Sequence, residues 1–139
     1  MNRSEFERFE NVAYPYIFRK SIPTGDSGYI GIPLTGHGYV TKCTINFAAG
    51  ENGTLHIRPY VIHPGELIND LLKYPANANQ YVSGDAQTYE LPCYQEIENH
   101  SELRIWYENT ALAGTVDSEL MVDCIVQYDA IIQPRNVIG

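Results

Sequence analysis

The sequence predicts an all-β protein, an antiparallel β-sandwich or jelly roll of seven or eight strands. Four stretches alternate apolar and polar residues at period two, which gives each strand one buried face and one wet face. Turn residues such as Asn52-Gly53 and Ser83-Gly84-Asp85 separate these stretches at short intervals. A chain of 139 residues with 44% hydrophobic content is long enough for one domain with its own core.

The strands are predicted in chain order at 14–20, 29–34, 38–48, 53–63, 80–82, 87–93, 101–109 and 116–130. Pro15 cannot donate the backbone hydrogen bond that a central strand needs, so the first strand is expected either at a sheet edge or with Pro15 at its start. The third and fourth should be joined by a hairpin-like connection, in which Asn52-Gly53 favours a tight turn with positive φ.

Three segments are expected to depart from this pattern. Residues 1–12 should form an N-terminal arm, in which Ser4 caps a short helix holding Phe6 and Phe9. Residues 64–78 space their leucines at helical intervals, so a short helix or an irregular excursion over the sandwich edge is expected. The single β-sandwich domain itself is assigned to 13–130.

The C-terminal tail, 131–139, keeps Ile131 and Ile132 apolar. A solvated tail has little reason to be so apolar. It would either cover the domain's own core or reach onto a neighbouring subunit, and the sequence leaves both alternatives open.

Charge and composition exclude several classes of partner. The net charge is −8, so the chain would repel both nucleic-acid phosphates and anionic membrane surfaces. No apolar run approaches the roughly 20 residues of a membrane helix, and the polar start lacks the apolar region of a secretory signal. Synthesis and folding in a cytoplasm are therefore expected. Cys43 and Cys124 fall on apolar strand faces and are predicted to be buried thiols.

No residue pattern indicates a reaction. The sequence contains no nucleophile elbow, phosphate-binding loop or zinc-protease motif. None of its four histidines stands at metal-ligand spacing from another. We therefore expect no catalytic residue, no metal and no cofactor, and a protein that is not an enzyme.

Large apolar residues nevertheless occupy strand positions whose neighbours are polar. Trp, Tyr and Met in such places are typical of protein interfaces, although the 64–78 excursion or a terminal arm could cover them. With the apolar residues of the two arms, the interface candidates are Phe6, Phe9, Tyr60, Ile62, Trp106, Met121, Ile125, Ile131 and Ile132.

Four segments resemble small β-sandwich proteins encoded among the structural genes of tailed bacteriophages. They are GYVTKCTINF at 38–47, GTLHIRPY at 53–60, YVSGDAQTYEL at 81–91 and LRIWYENT at 103–110. The resemblance covers about residues 28 to 129 and implies a jelly-roll-like virion component, such as a capsid decoration or fibre-base protein. It brings no catalytic residues with it.

The leading hypothesis is therefore a structural protein of a phage virion, present as a homo-oligomer with a trimer favoured, and in contact with other virion proteins of a capsid or tail. The alternative is a carbohydrate- or host-receptor-binding module, for which Trp106, Tyr107, Tyr60 and Tyr29 could stack on sugar rings. A hydrolase would need converging acids or a hydroxyl–imidazole pair, which the sequence does not indicate.

Overall fold

The computed structural model describes the backbone of residues 9–71, 81–112 and 117–131, and the side chains of 13–71, 81–112 and 117–129. Within these ranges eight antiparallel strands form two four-stranded sheets, which confirms the predicted all-β sandwich. The strands are β1 (Phe9–Ile22), β2 (Ser27–Pro33), β3 (Gly38–Phe47), β4 (Leu55–His63), β5 (Leu67–Asp70), β6 (Gln87–Ile97), β7 (Glu102–Asn109) and β8 (Ser118–Ile131).

The strand order is that of a jelly roll. Sheet 1 runs β1-β8-β3-β6 and sheet 2 runs β2-β7-β4-β5. The first strand pairs with the eighth, the second with the seventh, the third with the sixth and the fourth with the fifth. This nesting places four strands in each layer and closes the core between them, as in double-sheet jelly rolls.

The predicted alternation is what builds the core. On β7 and β8 nearly every second side chain points between the sheets and is almost completely buried, while its neighbours stay partly exposed. On β3 the same alternation is shifted by one residue at an irregularity between Val40 and Lys42. Val40, Ile45, Leu103, Ile105 and Val122 are among the fully buried residues. Each such side chain stabilises the fold by about 1.5–3 kcal/mol relative to leaving it in water.

The first strand lies at the edge of sheet 1, one of the two alternatives that Pro15 left open, and pairs with β8 alone in the described part of the chain. It begins earlier than expected, at Phe9, inside the segment assigned to the arm. The helix expected around Ser4 and Phe6 lies outside the described residues, and so does the tail beyond Ile131.

The predicted hairpin between β3 and β4 is wrong. β3 pairs with β6 and β8 in sheet 1, whereas β4 pairs with β5 and β7 in sheet 2. The connection crosses from one sheet to the other, although Asn52 and Gly53 have the predicted positive φ, at 52° and 73°. A turn dipeptide specifies a local reversal of the backbone and does not specify which strand becomes the neighbour.

The helical alternative for 64–78 is also wrong over residues 67–70. These residues form β5, which pairs with the end of β4 from Tyr60↔Asp70 to His63↔Leu67. The turn between them contains Pro64-Gly65, with Gly65 at φ 88°, and proline followed by a positive-φ glycine favours a type II turn. The proline–glycine turn therefore determined the local structure, although the spacing of the leucines was that of a helix. Residues 72–80 lie outside the described ranges.

Candidate functional surfaces

Three of the predicted interface residues lie on the outer face of sheet 2. Trp106 on β7 is half-buried and faces Tyr29 on one neighbouring strand and Arg58 on the other. Ile62, near the end of β4, is also half-buried. Tyr60 is only 8% exposed, because the guanidinium of Arg58 lies over its ring at 5.2 Å.

Two arginines fill the space between the aromatic rings of this face. The Arg104 guanidinium lies 4.2 Å from the centre of the Tyr29 ring, within the range of a cation–π contact. Arg58 donates to both carboxylate oxygens of Asp70, at 2.6 and 3.0 Å, and these hydrogen bonds raise its pKa. Arg58 is therefore paired with an acid of the same chain, while the Tyr29 ring stays about half exposed.

Met121 and Ile125 lie on the opposite side of the molecule, on the outer face of sheet 1. They lie four residues apart on β8, with Asp123 between them on the same face, and both are half-buried. Pro15 pairs directly with Ile125, and Ile17 on the same edge strand is 60% exposed. We call Pro15, Ile17, Met121 and Ile125 the Ile17 patch.

The interface candidates therefore do not share one surface. Alternation alone assigned Trp106, Tyr60, Met121 and Ile125 to outward positions, and it could not say which sheet each strand joins. Of the remaining candidates, Phe9 and Ile131 are paired at the ends of β1 and β8, with side chains outside the described residues. Phe6 and Ile132 lie wholly outside them.

Several of the most exposed apolar side chains were not predicted from the sequence. Tyr94 is 73% exposed and stacks on Tyr39, with ring centres 4.3 Å apart on the outer face of sheet 1. Leu67 and Ile68 are exposed on the edge strand β5. The available signal for Ile17 was its position two residues after Pro15, on the same face of a strand for which Pro15 allowed an edge position.

A histidine links three strands at the end of the sandwich where β1 begins and β8 ends. His37 lies in the turn between β2 and β3, and its ring nitrogens are 2.6 Å from a Glu96 oxygen and 2.7 Å from an Asp129 oxygen. The hydrogen bonds to Glu96 and then to Asp129 raise the pKa of His37. In its protonated form the imidazole donates from both nitrogens, one to each carboxylate, and we call this arrangement the His37 clamp.

A tyrosine cluster adjoins this clamp. A cleft of about 360 Å³ opens beside His37 and is lined by Tyr14, Tyr16 and Tyr128 among others. The hydroxyl oxygens of Tyr16 and Tyr128 are 2.7 Å apart. Burial, followed by this hydrogen bond, raises the pKa of Tyr128, which favours its neutral phenol.

The opposite end of the sandwich holds a second cleft, of about 340 Å³, with a buried acid in its wall. Glu51 is 7% exposed, and one of its oxygens accepts from the backbone amide of Glu119 at 3.3 Å. Its other oxygen has no hydrogen-bond partner in the described part of the chain. Burial raises the pKa of Glu51, which favours the protonated carboxyl.

Among the described residues, no three His, Cys, Asp or Glu side chains lie close enough together to hold a metal ion. In residues 9–71, 81–112 and 117–131, no helix has the length and apolar character needed to span a membrane. The expectation of a protein that is not an enzyme remains a prediction.

Comparison with known proteins identifies the fold and no family. No family model matches the chain, and no curated protein matches it. Among solved structures, a point mutant of the VP2 protein of infectious bursal disease virus, in T=1 particles, superposes with a TM-score of 0.50 at 13% identity over 91% of this chain. A structure of the Gt strain of the same virus superposes with a TM-score of 0.47 at 13% identity over 85% of this chain. The VP2 subviral particle of this virus superposes with a TM-score of 0.40 at 11% identity over 93% of this chain.

The superposition covers only part of each viral chain. This chain spans about a third of the length of the first two chains, 32% and 33%. At 13% identity the superposition with the VP2 mutant shows a shared β-sandwich and nothing about activity.

Proposed function

We propose that the chain is a non-enzymatic structural protein of a virion, which acts by assembling with copies of itself and with other virion proteins. The observation that carries this proposal is a jelly roll whose outer faces keep large apolar side chains exposed. Jelly rolls are a recurrent capsid architecture, and the similarly folded VP2 protein forms T=1 particles. Apolar residues on both outer faces suit a subunit with neighbours on more than one side.

The Ile17 patch is the proposed contact between copies. Ile17 projects from an edge strand and is 60% exposed, beside Pro15 and Ile125. Burial of such side chains against a second subunit removes apolar surface from water and stabilises the complex.

The charges around the patch permit like-charged subunits to approach. Arg19 pairs with Asp123 at 2.8 Å, and Lys42 pairs with Glu90 at 3.2 Å. Each of these two acids therefore has a cation of the same chain beside it. This pairing lowers the repulsion between two acidic copies that approach through this face.

The finer assignment is a phage virion protein made in the host cytoplasm, serving as a capsid decoration, a head-fibre base or a tail accessory. The proposed stoichiometry is a trimer. The phage assignment is supported by the resemblance of four segments to phage structural proteins, at 38–47, 53–60, 81–91 and 103–110.

Size-exclusion chromatography with light scattering tests the assembly step. We expect a species of about three times the 15.7 kDa monomer mass at micromolar concentration. A stable monomer would refute the proposed self-assembly, and a stable dimer would refute the trimer while leaving self-assembly intact.

A second candidate, a glycan- or receptor-binding module, is supported by the Tyr94–Tyr39 stack. Exposed aromatic rings are platforms for flat apolar ligands, and sugar rings are of this type. A glycan array probed with the wild-type chain and with a Tyr94→Ala variant separates the two candidates. Binding that is lost with the ring supports the module, whereas an array without binders removes it.

A further inference from the structure

Two cysteines predicted to be separate buried thiols lie in contact. Cys43 on β3 and Cys124 on β8 are direct partners across the central strand pair of sheet 1. Both side chains point into the core and are fully buried. Their sulfur atoms are 3.6 Å apart, and the Cys124 thiol donates to the Cys43 sulfur.

This juxtaposition meets the backbone requirement for a disulfide. Directly opposed residues of an antiparallel pair have Cα atoms about 4.5–5.5 Å apart, and disulfides form across about 4.4–6.8 Å. The two strands therefore need not move, since the sulfurs can approach by rotation of the side chains. We propose that Cys43 and Cys124 are a modification site, at which an intrachain disulfide forms when the protein meets a small disulfide oxidant such as oxidised glutathione.

The reaction balances as an ordinary thiol–disulfide exchange. One protein thiolate attacks a sulfur of the oxidant, forms a mixed disulfide and releases one glutathione thiolate. The second protein thiolate attacks the protein sulfur of that mixed disulfide and releases the second glutathione. Two protein S–H bonds are replaced by one S–S bond, and the two glutathione sulfurs take up the two electrons and the two protons.

Burial controls when this exchange can occur. The hydrogen bond that the two thiols share, followed by burial, raises the pKa of Cys43, and the thiolate is the reactive form. In the folded protein the pair is therefore slow to react, and exchange proceeds during folding or through separation of β3 and β8. The same burial protects the disulfide from reductants once it has formed.

The bond would close a long loop, because 81 positions separate the two cysteines. It would tie together the two central strands of sheet 1, which no turn connects directly. A chain cross-linked in this way loses entropy in its unfolded state, so the folded state becomes harder to unfold. The bond would form in a monomer and in an oligomer alike, and it does not depend on the proposed function.

The experiment refolds the full chain from denaturant in a mixture of oxidised and reduced glutathione, and in parallel with dithiothreitol. Each product is denatured, alkylated with N-ethylmaleimide and weighed intact. We expect one alkylated cysteine, Cys93, after oxidative refolding and three after reductive refolding. Peptide mapping should join Cys43 to Cys124, and the urea midpoint of the oxidised form should exceed that of the reduced form.

A Cys93→Ser variant is the matched control, since it removes the third thiol and should leave no alkylated cysteine after oxidation. Three alkylated cysteines after oxidative refolding would overturn the proposal. A disulfide that includes Cys93, or only a mixed disulfide with glutathione, would overturn it equally. So that the test does not depend on efficient refolding, the native protein is also incubated with oxidised glutathione near its urea unfolding midpoint. The same disulfide should form there.

Discussion

Replacement of Gly38 by alanine tests how closely the two central strands of sheet 1 approach. Gly38 begins β3 and faces Tyr128 of β8. A Cβ atom at this position would lie 2.2 Å from the backbone oxygen of Gln127 and 2.8 Å from the Cα atom of Tyr128. Both obstacles are backbone atoms, so no side-chain rotation can relieve the contact.

The cost follows from the displacement that is needed. To restore a 3.0 Å separation from 2.2 Å, the strands must part by about 0.8 Å. Overpacking of this kind costs about 1–3 kcal/mol. Loss of the nearby 2.9 Å hydrogen bond from the Asp129 amide to the His37 carbonyl adds about 1 kcal/mol. We therefore expect a loss of about 2–4 kcal/mol in the free energy of unfolding, a fall of roughly 5–15 °C in Tm.

The assay is urea unfolding at one fixed protein concentration, because self-association would otherwise change the apparent stability. Gly28→Ala is the matched control, since its Cβ would meet only the hydroxyl end of Tyr107, at 3.0 Å, and should cost less than about 1 kcal/mol. A Gly38→Ala variant within about 0.5 kcal/mol of the wild type would refute the close approach of β3 and β8.

The remaining predictions concern two titrating groups. Because the folded-state pKa of His37 is raised by Glu96 and Asp129, its stabilisation is complete below about pH 6.5 and is lost as the pH rises through the folded pKa. His37→Gln should therefore lower Tm more near pH 6 than near pH 9, and a constant difference across this range would contradict the clamp. Because burial raises the pKa of Glu51, ionisation costs stability as the pH rises from its unfolded value, about 4.3, through the folded value. Glu51→Gln should match the wild type near pH 4 and exceed its Tm at pH 8, whereas a less stable variant at pH 8 would show that the carboxylate has a favourable partner.

The sequence predicts the strands in which burial of one face imposes a strict alternation of apolar and polar residues. β7 and β8 follow strict alternation, and their bounds were predicted to within two residues at every end. The order of strands within the sheets was not predictable, because alternation describes one strand at a time. The long connection from β3 to β4 shows this limit, since the predicted turn at Asn52-Gly53 is present but joins two different sheets.

The candidate surfaces were likewise predictable only as far as the alternation within one strand. Outward positions for Trp106 and Ile125 follow from period two, but their separation onto opposite faces follows from strand order. The contact between Cys43 and Cys124 depends on the register of β3 against β8. The His37 clamp draws its carboxylates from positions 59 and 92 residues away, and no local spacing could indicate it.

The most direct test of the proposed assembly compares the solution mass of the wild type with that of Ile17→Glu at the same concentration. Ile17 is mostly exposed and outside the core, so the variant should fold, which circular dichroism checks. Leu112→Glu places the same charge at an exposed apolar position in the loop after β7 and is the control. We predict a wild-type and a Leu112→Glu species several times heavier than 15.7 kDa, and an Ile17→Glu species at that mass. Equal masses for all three proteins would contradict assembly through the Ile17 patch.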